Sequence, residues 1–176
     1  MATIRLEPFS REHLDSLASS LEDPEMLRFT RIPEPVPAGF AESWFARYER
    51  GKADGTRMNF AVVEGPEGKL VGFAVAPVID SEAATAELGY GVASWARGRG
   101  VATAALRELT TWAFTELGMV RLELLIDVDN PGSKRVAEHC GYTREGVLRS
   151  VYVKPGRRAD TEIWSRLVTD SLSQST

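Results

Sequence analysis

A chain of 176 residues with 43% hydrophobic and 26% charged residues has the composition of an ordinary globular protein with one well-packed core. Its net charge of −4 argues against general affinity for nucleic acid or an anionic membrane, and makes a cationic substrate easier to accommodate. The one cysteine, Cys140, excludes an internal disulfide, no apolar run approaches membrane-spanning length, and the N-terminus has no apolar signal core; a cytoplasmic location is expected.

Thr3 to Leu6 alternates like a short strand ended by Pro8, and Ser10 can cap a helix carrying Leu14, Leu17, Ala18 and Leu21. Ile32 to Pro37 is too proline-rich for helix or central strand and reads as a loop. A helix follows with Phe40, Trp44, Phe45 and Tyr48 on one face and Gly51 as its stop. Met58 to Glu64 and Leu70 to Val78 are strand-like runs joined by a Gly65-Pro-Glu-Gly68 turn, which makes a hairpin. Ala86 to Val92 is a third strand. The stripe Ala102, Ala105, Leu106, Leu109, Trp112, Ala113, Leu117 marks a helix closed by Gly118. Arg121 to Val128 alternates with Leu122, Leu124, Ile126 and Val128 on one face, and Ser133 to Cys140 is a short helix closed by Gly141. Further strands are expected around Val147, Val151 to Val153, and Glu162 to Trp164. The pattern describes a mixed α/β fold: one central, mostly antiparallel, twisted sheet flanked by helices. Residues 1–170 make a single domain, and the polar tail 171–176 is expected to fray.

Between the third strand and the long helix lies Trp95-Ala-Arg-Gly-Arg-Gly-Val-Ala-Thr-Ala-Ala105. Free N–H groups at a helix start attract anions, and glycines let a phosphate approach the backbone. The plain alternative is a glycine turn with two solvated arginines. A P-loop is excluded because no Gly-Lys-Ser/Thr occurs, and a dinucleotide fingerprint fails because Thr103 stands in its third glycine position.

Arg97-Gly-Arg-Gly100-Val-Ala102 instead matches Arg/Gln-x-x-Gly-x-Gly/Ala, and the chain resembles the GNAT acetyltransferases, in which this is the acyl-CoA pyrophosphate loop. Glu87 to Tyr90 (Glu-Leu-Gly-Tyr) resembles that family's preceding strand. Asn130-Pro-Gly-Ser133, Val136 to Tyr142 and Glu145-Gly146 extend the similarity, which looks like the RimJ/RimL-type branch that modifies protein N-terminal or small-molecule amines. Gly98 fits no required place in the motif. Many members carry a tyrosine that protonates the departing thiolate where this chain has Ala137; in RimL-like members a serine at the place of Ser133 is proposed for that role.

Acetyl transfer to an amine needs loss of the ammonium proton, stabilisation of an oxyanion, and protonation or solvation of the leaving thiolate. Glu87 is the candidate base; it shares a strand face with Gly89 and Gly91, expected to leave open space beside it, and the plain alternative is a glutamate paired with an arginine in the sheet. Ser133 is the candidate acid, or simply the N-cap of its helix. For the donor, acetyl-CoA, the backbone amides of Arg99, Gly100, Val101, Ala102 and Thr103 are expected to hold phosphate, with Arg97 as charge support. The resemblance adds Val92 and Asn130 along the pantetheine arm and Ser133 near the CoA sulfur. Lys134 or Arg135 is a candidate for the 3′-phosphate, with a solvated helix face as the plain alternative. No metal is required, and two histidines and one cysteine make a poor zinc set. Cys140 reads as a small buried residue, and His13 and His139 as surface histidines. The acceptor is expected to be a peptide N-terminal amine, or else a small-molecule amine, lodged by the 32–37 loop and the aromatic helix. A non-catalytic acyl-CoA-binding module is the competing class, and homodimerisation is implied by the resemblance alone.

Overall fold

The computed structural model describes residues 3–154 and 156–172. Its elements in chain order are β1 (Ile4–Pro8), α1 (Leu14–Ser20), α2 (Pro24–Phe29), α3 (Phe40–Ala53), β2 (Met58–Glu64), β3 (Lys69–Asp80), β4 (Thr85–Val92), α4 (Val101–Thr115), β5 (Arg121–Asp127), α5 (Pro131–His139), β6 (Thr143–Lys154) and β7 (Arg157–Leu167). The strands form one sheet ordered β1-β2-β3-β4-β5-β7-β6. Every neighbouring pair is antiparallel except β4 and β5, which are parallel because α4 carries the chain back between them.

Period-two alternation sends the side chains of the central strands to two cores. On β2, Val62 joins the core beneath α4, with Leu106, Leu109, Leu122 and Val71. Its neighbours Ala61 and Val63 join Phe9, Trp44, Phe45 and Tyr48 beneath α1 and α3. Leu109 is fully buried, so truncation to alanine costs about 2–5 kcal/mol.

The site depends on where the sheet opens. β4 pairs with β5 only over Thr85–Glu87 against Arg121–Glu123. Beyond Glu87 the two strands separate. Opposite that point, the β3 register shifts between Val75 and Val78, and such a bulge bends and twists the sheet.

Several boundaries differ from the sequence reading. Helix α2 was not anticipated: Asp23 caps it by accepting from Glu25 N, and Pro24 starts it, but six residues are too few to show a period. Helix α3 runs on past Gly51 to Ala53, because Gly51 is a buried packing position, not a stop. Helix α5 begins at Pro131, two residues before Ser133. Val128 lies just beyond β5, which ends at Asp127. Of the expected tail, residues 171–172 close a 3-10 turn, and 173–176 lie outside the described residues. Among the described residues, no helix is long and apolar enough to cross a membrane.

Candidate active site

The glycine loop forms an amide cradle at the start of α4. Gly98 and Gly100 have φ of +73° and +81°, a left-handed conformation that L side chains rarely adopt. Gly98 is therefore required by the backbone, although the motif gives it no place. Among the described residues, the N–H groups of residues 98–103 make no hydrogen bond; the first paired amide is Ala104 N, donating to Gly100 O at 3.0 Å. These donors converge at the positive end of the helix dipole, the arrangement that binds phosphate.

The arginine side chains of the loop serve another purpose. Arg97 donates to Asp23 and, at 3.0 Å, to Glu25, while its Nε donates to Val92 O at 3.2 Å. It clamps α2 to the end of β4, and two carboxylates already neutralise it. Its guanidinium is thus shared between the acids at the start of α2 and the groove that it borders. Arg99 is likewise paired with Glu64 at 3.0 Å. The polar groups that this loop leaves unpaired are its backbone amides.

A groove of about 510 Å³ runs from this cradle along the opened sheet. Val92, Arg97, Gly100 to Thr103, Asn130, Ser133 and Arg135 border it. Ala93 N donates to Val71 O at 2.9 Å, so by alternation the amides of Tyr90 and Val92 point the other way, into the gap left by β5. Of the two cations considered near its rim, Lys134 is tied to Glu162 at 2.9 Å, whereas Arg135 borders the groove.

At the start of α5, Asn130 Oδ1 accepts from Ser133 N at 3.1 Å, and Asn130 Nδ2 donates to Ser133 Oγ at 3.1 Å. Asn130 is thus the N-cap, with Pro131 following it, and Ser133 is not. Ser133 is instead a hydroxyl held by the cap. Beside it lies Tyr90, which the sequence reading did not single out. Burial pushes the Tyr90 hydroxyl up to about 12, opposed by nearby Ser133, yet that hydroxyl has no partner at hydrogen-bonding geometry. The sequence marks Tyr90 only as the last residue of the Glu-Leu-Gly-Tyr run, with no sign of a role for its hydroxyl.

Tyr90, Asn130 and Ser133 also line a second cavity, of about 270 Å³, on the other side. The 32–37 loop and α3 contribute Ile32, Phe40, Trp44 and Tyr48 to its wall, and β4 contributes Glu87. The aromatic face of α3 is therefore both core and cavity wall. The Glu87 carboxylate is 17% exposed and pairs with Arg31 Nη2 at 2.8 Å. Burial raises its pKa; Arg31 opposes the rise and Glu123 adds to it. Glu87 is thus paired with an arginine, but one from the loop after α2 and within the cavity. The open space expected over Gly91 is filled, since a Cβ there would lie 2.5 Å from the Phe73 ring. Nor does the chain's net negative charge extend here: Arg31, Arg47 and Arg57 all line this cavity.

Cys140 is buried, and burial raises its thiol pKa, consistent with a packing role. His13 is part of a capping box with Ser10 and its ring packs, tilted by 57°, 5.1 Å from the Phe9 ring, so it has a structural partner after all. His139 is exposed. Among the described residues, no group of three His, Cys, Asp or Glu side chains is gathered for a metal.

A family model described as an acetyltransferase (GNAT) domain matches residues 3–143. The chain belongs to the GNAT acetyltransferases. The uncharacterized N-acetyltransferase p20 of Bacillus licheniformis is 24% identical over 164 residues, 93% of this chain and 92% of its own length. The fold is that of two solved structures below 25% identity. One is RimL, a ribosomal L7/L12 alpha-N-protein acetyltransferase with coenzyme A, with TM-score 0.87, 18% identity and 96% of each chain covered. The other is a spermidine N-acetyltransferase from Vibrio cholerae with CoA and spermine, with TM-score 0.84, 21% identity, and 97% and 98% covered. This GNAT chain is an N-acetyltransferase with acetyl-CoA as co-substrate, and the amide cradle and groove are of the kind a CoA pyrophosphate and pantetheine need.

Proposed function

We propose that this enzyme transfers acetyl from acetyl-CoA to a primary amine by direct attack within a ternary complex. The observation carrying this reading is that Glu87, Tyr90 and Ser133 border the cavity that adjoins the groove, so an amine and a thioester can meet there. The amide cradle at residues 98–103 holds the pyrophosphate, and the Val92 amide holds the pantetheine arm beside Asn130. Arg135 meets the 3′-phosphate at the rim.

Glu87 accepts the ammonium proton, and the freed lone pair attacks the thioester carbonyl. The new C–N bond gives a tetrahedral oxyanion, which the Tyr90 amide faces from the gap. As the C–S bond breaks, the electron pair leaves on sulfur; the Ser133 hydroxyl passes its proton to the thiolate and takes up the second proton of the new C–N nitrogen, so that neutral amide and free thiol result. A raised pKa suits Glu87 to this task, because a more basic carboxylate competes better for an ammonium proton. The acceptor is a peptide N-terminal amine, a reading supported by the RimJ/RimL-type pattern of Asn130, Ser133 and Val136 to Tyr142. A small-molecule amine is the second reading, favoured by the likeness in fold to a spermidine acetyltransferase. We place the reaction in the cytoplasm, in keeping with the single buried thiol.

Initial-velocity measurements of thiol release, varying acetyl-CoA against amine, test the kinetic order. Intersecting lines support a ternary complex. Parallel lines mean an acetyl-enzyme intermediate and overturn direct attack.

A further inference from the structure

The cavity next to Glu87 carries more positive charge than it neutralises. Its lining carboxylates are Glu87 and Asp127, and both are matched: Glu87 by Arg31 at 2.8 Å, and Asp127 by Arg157 at 2.7 Å. Two further guanidinium groups, those of Arg47 on α3 and Arg57 just before β2, line the same cavity. Among the described residues neither has a carboxylate within ion-pair distance or a hydrogen-bonded partner, and Arg47 merely rests 6.0 Å from the Tyr48 ring. Arg57 is positioned by the fold. A Cβ on Gly51 would come within 2.4 Å of Arg57 Cβ, so the missing side chain on α3 is what lets the arginine stem lie against the helix. The amides of Thr56 and Arg57 both donate to Gly51 O, at 2.8 and 3.2 Å, fixing where that stem starts.

One arginine placed by the fold, Arg57, and a second, exposed one, Arg47, both without a carboxylate partner among the described residues, attract a particular chemistry in an acceptor cavity. A guanidinium binds a carboxylate through parallel N–H donors, whereas a polycation would bring like charge against them. We propose that the acceptor is an amine that also bears a carboxylate, with its amine directed to Glu87 and its carboxylate to Arg47 and Arg57. This rests on the acceptor cavity assigned above and narrows its substrate class. The carboxylate is that of a free amino acid or of an acidic residue at the start of a peptide.

Thiol release from acetyl-CoA is measured with matched acceptors: leucine against leucinamide, a C-terminally amidated peptide beginning with Asp against its Asn twin, and spermidine. A kcat/KM about ten-fold or more higher for the carboxylate member of one pair is expected, and which pair responds identifies the source. In Arg47→Gln and Arg57→Met, the latter keeping the packed stem, that preference shrinks towards one through acceptor KM, while acetyl-CoA KM stays unchanged. Preference for spermidine, equal rates within both pairs, or an equal loss for both members of a pair in the variants overturns the proposal. Absence of thiol release with every acceptor overturns amine transfer instead. The same carboxylate–carboxamide comparison, made by calorimetry with N-acetylleucine and N-acetylleucinamide and with the N-acetylated Asp and Asn peptides on the CoA-loaded protein, then decides the anion preference. Equal binding within both of those pairs sinks it.

Discussion

Glu87 holds its proton more tightly than an ordinary glutamate because its carboxyl is buried, and Arg31 works against that. A base acts when unprotonated, so the rate rises as pH climbs through its pKa. The acid limb of kcat/KM is expected above the usual carboxylate range. Arg31→Gln removes the cation that favours the charged form, so it moves this limb to higher pH; a limb that stays put or moves to lower pH contradicts the assignment of Glu87 as base. At the loop, the two glycines do different work from the one the motif suggests. No atom lies within 4 Å of a Cβ at Gly98 or Gly100, so alanine there is opposed by backbone conformation alone, at about 1–2 kcal/mol. Gly100→Glu adds a side chain and a negative charge at the cradle, and acetyl-CoA KM is expected to rise far more than for Gly100→Ala. Equal KM values for the two variants would mean that the phosphate sits elsewhere. Glu87, Gly100 and Ser133 were legible as residues with a chemistry. Arg31, Tyr90 and Arg57 were not, because an arginine, a tyrosine or another arginine in a loop or strand carries no local sign of what it will face.

Among the elements, α5 shows how a start signal is misread. Ser133 has the right chemistry for a cap, yet Asn130 followed by Pro131 is the stronger signal, and the structure follows it. One side chain here serves two purposes, capping the helix and holding the Ser133 hydroxyl. Asn130→Ala is expected to cost about 1 kcal/mol of stability, a melting temperature lower by about 2–4 °C, and to reduce kcat as the Ser133 hydroxyl loses its holder. Thermal melts with steady-state kinetics check both; an unchanged kcat contradicts a working Ser133 hydroxyl. The long elements were readable from their periods: α4, the β2–β3 hairpin and the alternation of Leu122, Leu124 and Ile126. The short helix α2 was not, although Asp23-Pro24 spells a cap and a first helical turn. Its role is also non-local, since Asp23 and Glu25 reach the Arg97 guanidinium more than seventy residues later.

At the scale of the molecule, the fold class was legible and the opening of the sheet was not. Alternating strands around one strand–helix–strand crossover suffice to predict a mixed, mostly antiparallel sheet. Where a parallel pair stops pairing depends on contacts between β4 and β5 and on the β3 bulge, which no short window contains. Net charge is uninformative about the site for a related reason: a sum over the chain says nothing of three arginines collected in one cavity. Because the groove is already formed, CoA binding should stabilise the folded chain without remodelling it. At a hundredfold excess over Kd this amounts to about 2.7 kcal/mol, or roughly 5–10 °C in melting temperature. No shift at saturation contradicts a formed donor site.

In the proposed mechanism Glu87 performs chemistry on the acceptor and takes no part in holding the donor. The direct measurement pairs steady-state turnover of Glu87→Gln with calorimetric binding of acetyl-CoA to the same variant. A kcat lower by about a hundredfold or more, with an unchanged acetyl-CoA Kd, is expected. Turnover that survives the substitution, or a donor affinity that falls with it, contradicts it.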